Sequence, residues 1–116
     1  MGWLTAALLT MQAQSGDTVQ VLRCVREVSP AGISRPESSE DLARAAARAC
    51  MRARYRSTPF DICVRRVGMF IRIRSRQVRN PAFDPCVRRE ESVRADTEIR
   101  ARGLALRIIT EGRGVR

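Results

Sequence analysis

A chain of 116 residues has room for one modest domain, and its 44% hydrophobic and 29% charged residues exclude a disordered polymer. The net charge of +10 comes from 22 basic residues, all of them arginine, against 12 acids. Histidine is absent, so the usual general base near neutral pH and the commonest nitrogen ligand for metals are both missing, which weighs against an enzyme.

Charge is concentrated in one block. Residues 41–82 hold eleven arginines against two acids, Asp41 and Asp61. A guanidinium binds phosphate or carboxylate as a two-toothed fork, which an ammonium cannot do. A GC-rich gene alone would also favour arginine, so the placement of these residues carries more weight than their number. The aromatic residues are Trp3, Tyr55, Phe60, Phe70 and Phe83, so an aliphatic and alanine-rich core is expected.

The first segment, WLTAALLTMQAQ (3–14), places Trp3, Leu4, Ala7, Leu8 and Met11 at helical spacing. It predicts an N-terminal helix within residues 1–16, packed on the core. No basic residue precedes its apolar run, and Met11 fills the −3 position of a candidate cleavage site after Ala13. No run reaches the roughly 20 apolar residues of a membrane span. The expectation is a soluble intracellular protein of cytoplasm, nucleoid or nucleus, with no membrane partner and no export.

Residues 18–28 alternate Val19 and Val21 with polar neighbours and predict a strand. Two prolines and a glycine make 29–37 a loop. Ser38 or Ser39 then caps a helix, with Leu42, Ala46, Ala49, Cys50 and Ala53 as its apolar face and Pro59 as its stop. Arg44, Arg48, Arg52 and Arg56 recur along it at steps of four. In 69–79, Ile71, Ile73 and Ser75 alternate with Arg72, Arg74 and Arg76, which predicts a strand with one apolar and one cationic face. Gly68 would divide 60–79 into two strands, and a helix from Ile62 competes for its first part. After the turn at Asn80-Pro81, Asp84 and Pro85 open a helix that pairs Glu90 with Arg94 and Glu98 with Arg102. Gly103 stops it. LALRIIT (104–110) reads as a buried strand, and 111–116 as a flexible tail.

The fold class expected is therefore α+β: one domain over 1–116, an N-terminal helix, then a core over 17–110 in βαββαβ, ferredoxin-like order, with a mostly α chain as the alternative. RNA-recognition modules share that order, but their RNP1 pattern fails here, with Val67, Gly68 and Ile73 at its glycine and aromatic positions. FDICVRR (60–66) and FDPCVRR (83–89) match at six of seven positions, and Cys24-Val25-Arg26 echoes their centre. Chance or a local duplication accounts for this, since two copies are too few for a solenoid.

The cysteines Cys24, Cys50, Cys63 and Cys86 form no CxxC knuckle. Two disulfides would require an exported chain, so buried free thiols are expected. No catalytic residue, metal ligand set or cofactor motif is found. The candidate site is a phosphate-binding surface of Arg44, Arg48, Arg52, Arg56, Arg65, Arg66, Arg72, Arg74, Arg76 and Arg79. The expected function is nucleic-acid binding by backbone or shape, RNA ahead of DNA, with a ribonucleoprotein as one setting. The alternative is an interaction or assembly subunit, homo-oligomeric or bound to an acidic protein.

Overall fold

The computed structural model describes residues 16–32 and 36–111. In chain order these form α1 (Gly16–Val28), α2 (Pro36–Arg54), α3 (Pro59–Arg66), β1 (Phe70–Ile73), β2 (Arg76–Arg79) and α4 (Phe83–Glu111). The described chain is mostly helical, with one two-stranded antiparallel sheet. The βαββαβ order is not found among these elements. The expected helix of 3–14 and the tail of 112–116 lie outside the described residues. The chain divides into two compact units, one running to Arg54 and resuming at Thr97, the other Tyr55–Asp96.

The first unit packs α1, α2 and the second half of α4. Thr18, Val21 and Val25 are the buried residues of α1, at steps of three and four. That is a helical stripe, and it overturns the strand expected over 18–28. Val19, the residue that suggested alternation, is 40% exposed. The second correction has the same cause. Residues 104–110 are not a strand, because Ala101, Ala105 and Ile109 are buried at steps of four along an unbroken helix. Gly103 does not stop α4; the helix runs through it.

On α2 the buried residues are Ser39, Ala43, Ala46, Ala47 and Cys50. The helix begins at Pro36, before the expected cap, and its buried face is rotated from the expected one: Leu42 is only half-buried, and Ala49 and Ala53 are exposed. Small side chains along this stripe allow helices to approach closely. The Thr18 and Thr97 hydroxyls meet at 2.8 Å in the interior, so two buried polar groups satisfy each other. Cys24 is bonded to Cys50, with Cα atoms 5.7 Å apart, and Arg54 pairs with Asp17 at the surface.

The second unit has far less interior. Its buried residues are Cys63, Asn80, Phe83 and Cys86, with Met69 and Val87 packed beside them. Thr58 caps α3, its hydroxyl accepting from Asp61 N at 3.0 Å, and Pro59 occupies the first turn. Residues 60–66 are thus helix and not strand; the competing helix from Ile62 holds, but it begins earlier, at Pro59. Gly68 closes the helix at φ +85°, where a side chain would be strained. The Asn80 side-chain amide donates to Val67 O (2.8 Å) and Gly68 O (2.9 Å), while its Oδ1 accepts from Ala82 N (3.0 Å). One buried residue therefore ties the end of α3 to the start of α4.

Cys63 is bonded to Cys86. All four cysteines are paired, which corrects the free-thiol reading. The repeated heptads explain the second bridge. Both copies begin helices, and equivalent positions meet: Phe60 sets its ring edge on Phe83 (centroids 5.1 Å, planes at 82°), and Cys63 bonds Cys86. Two equivalent positions of the heptads thus meet like to like. Arg56 and Arg79, each four residues before the phenylalanine, extend the equivalence.

Candidate functional site

All ten candidate arginines are exposed. They fall into two groups. Arg44, Arg48 and Arg52 belong to α2 of the first unit; Arg56, Arg65, Arg66, Arg72, Arg74, Arg76 and Arg79 belong to the second. On α2, steps of four keep the three side chains on neighbouring parts of the outward surface, opposite the alanine stripe. Arg56 lies past the end of α2, in the segment before α3, so the helical row has three members and not four.

The hairpin overturns the expected cationic strand face. The chain reverses at Arg74 and Ser75, whose φ values of +52° and +67° make a two-residue turn of the kind suited to tight hairpins. The register pairs Phe70 with Arg79, Ile71 with Val78, Arg72 with Gln77 and Ile73 with Arg76. Cross-strand partners share a face. Phe70, Arg72, Gln77 and Arg79 therefore lie on one side, and Ile71, Ile73, Arg76 and Val78 on the other. Arg72 and Arg76 are on opposite faces, and Arg74 is at the tip. The alternation of 69–75 was legible; what the turn does to it was not.

Four candidates already have partners. Arg44 pairs with Asp41 at 3.4 Å. Arg66 donates to Glu90 at 2.8 Å. Arg79 donates to Asp84 at 2.9 Å and stacks on Phe83, its guanidinium carbon 4.9 Å from the ring centroid. Arg65 donates to the neutral Ser57 hydroxyl at 3.0 Å and keeps its full charge. Arg48, Arg52, Arg56, Arg72, Arg74 and Arg76 form no salt bridge among the described residues. Exposed pairs of the first kind contribute little, on the order of 0–1 kcal/mol.

Sequence reasoning missed Arg94. Its guanidinium lies over the Tyr55 ring at 4.5 Å and reaches Glu90, 3.9 Å away. The side chain is only 14% exposed, and its Nε and Nη2 have no hydrogen-bond partner among the described residues. The expected Glu90–Arg94 pair is thus present but long, because Glu90 is engaged by Arg66 at shorter range. Nothing local marked Arg94 as half-buried; its distinction comes from Tyr55, 39 residues away.

Among the described residues no group of three or more His, Cys, Asp or Glu is placed to hold a metal, and no helix is long and apolar enough to cross a membrane. Compared with protein-family models, curated proteins and solved structures, the chain matches none.

Proposed function

We infer that this chain is a basic nucleic-acid-binding protein that grips phosphates through arginine, with RNA ahead of DNA. One observation carries the reading. Six exposed guanidiniums, on Arg48, Arg52, Arg56, Arg72, Arg74 and Arg76, meet no carboxylate among the described residues. Each is free to neutralise a phosphate and release a counterion. Arg44 adds to the set on the first unit, and Arg65, Arg66 and Arg79 to the set on the second. Such contacts supply affinity without base specificity, which favours recognition of a folded or duplex shape. The role is binding, not catalysis, and requires no metal or cofactor.

The paired cysteines bear on where this happens. Disulfides persist in oxidising compartments and are rare in reducing ones, which supports an oxidising setting over the expected intracellular one. Filter binding of duplex and single-stranded RNA across salt concentrations, without reductant, tests the function. If about five guanidiniums engage, log affinity for a duplex should fall against log salt with a slope of roughly −4.5. Arg48→Glu/Arg52→Glu and Arg72→Glu/Arg76→Glu should each flatten it. A slope near zero removes the reading.

A second reading rests on a different observation. Phe60, Phe70, Ile73 and Val78 are exposed apolar side chains in the unit that carries most of the arginines. Apolar groups mixed with arginine suit a protein interface, here with an acidic protein or within an assembly. Size exclusion with light scattering on nuclease-treated protein separates the two: a stable oligomer with no bound nucleic acid favours the second.

A further inference from the structure

Gly103 lies inside α4, and a Cβ built there would meet no atom within 4 Å. No neighbour requires the missing side chain, yet glycine is the poorest helix former after proline. Gly103 lines an open surface groove of about 380 Å³ between α1 and the second half of α4. Leu22, Gly103 and Leu104 line it, and so do Arg26, Arg100 and Arg107. Its volume is in the range of small-molecule sites.

The lining has two parts. Leu22 and Leu104 are half-buried and offer apolar surface, while the three arginines are exposed. Arg100, Leu104 and Arg107 follow one another at steps of four and three, which puts them on one stripe of α4; Leu22 and Arg26 are four apart on α1. Arg26 and Arg100 form no salt bridge among the described residues. Arg107 faces Glu111 at 3.8 Å in an exposed pair, which holds it weakly. No lining residue is a carboxylate.

We propose that this cleft binds a single-chain amphiphilic anion. Its alkyl chain lies along Leu22, Gly103 and Leu104, and its head group meets the forks of Arg26 and Arg100. A bare phosphate would meet the arginines but gain nothing from the leucines, so the lining favours an anion with an alkyl chain. A second copy of the chain is disfavoured, because a net charge of +10 repels itself across a cationic rim. The three arginines are distinct from those assigned to nucleic acid, so either assignment can fail without the other.

Calorimetric titration of the full, disulfide-bonded chain with decanoate below its micelle concentration is the test. The expected result is one saturable site per chain. Arg26→Glu/Arg100→Glu should lower affinity at least tenfold. Arg88→Glu/Arg89→Glu removes the same charge from exposed residues outside the cleft, and should stay within twofold of wild type. Gly103→Leu, with helix content checked by circular dichroism, should abolish binding by filling the cleft. If that variant does not fold, the charge pair decides alone. The proposal is overturned by absence of saturable binding, by equal losses in the two charge variants, or by equal binding of decyltrimethylammonium.

Discussion

The two units hold themselves together by different means. The first buries small and aliphatic side chains from three helices, Val21, Val25, Ala43, Ala46, Ala47, Ala101, Ala105 and Ile109, and adds the Cys24–Cys50 disulfide, whose Cys50 is buried with them. The second buries Phe83 and little else that is apolar apart from its own bridge. Its hairpin has only two strands, too few for independent stability in water. In the first unit the sulfurs reinforce a core; in the second they are most of the core. A cysteine pair thus plays a different part according to how much apolar surface surrounds it.

The largest effect should come from the bridges. By loop-closure entropy each contributes about 3.5 kcal/mol, a model-dependent figure. Cys63→Ser/Cys86→Ser should abolish amide-exchange protection across 55–96, since it removes two of the few buried side chains as well. Cys24→Ser/Cys50→Ser should lower the melting temperature while leaving α1 and α2 protected below it. Equal, global losses from both pairs would show that the units do not differ in this way.

Asn80→Ala comes next. It leaves two part-buried carbonyls and one amide without their partner, at about 1–3 kcal/mol in all, since water reaches part of the site. Hairpin amides should exchange faster, with α1 and α2 unchanged. A uniform loss of protection would contradict the local role. In the first unit, Ala47→Leu tests packing instead. Ala47 is fully buried, so the larger side chain should cost about 1–3 kcal/mol, measured by urea denaturation.

The smallest effects are opposite substitutions. Gly103→Ala in the first unit should stabilise by up to about 1 kcal/mol, because the new methyl meets nothing and the helix gains propensity. Ser75→Gly in the second should stabilise by about 0.5–1 kcal/mol, because φ +67° suits glycine and not serine. Chemical denaturation of each variant checks both; destabilisation by Ser75→Gly would refute the turn geometry.

Much of the local structure was legible. The 3.6-residue rhythm of 38–53 marked a helix, and the alternation of 70–73 marked a strand. The helical alternative from Ile62 held for 62–66. The candidate site was legible as a list of exposed arginines, but not as a geometry. Arg72 and Arg76 look equivalent in sequence, yet a two-residue turn sends them to opposite faces. Arg94 looks like any surface arginine, and Tyr55 makes it half-buried. The repeated FDxCVRR heptads held the clearest unused signal, since equal segments that begin helices can meet through equal residues.

By itself the amino-acid order determined the concentration of positive charge between 41 and 82, the turn at Asn80-Pro81, and the amphipathic rhythm of α2. Those properties depend on neighbours within a few positions. Tertiary structure alone decided that 18–28 and 104–110 are helices, which sulfurs pair, and which way each hairpin arginine points. A valine-rich run satisfies helix or strand equally well until a packing partner selects its buried stripe. A disulfide needs two Cα atoms brought within about 6 Å, a distance that residues 26 or 23 apart acquire only on folding.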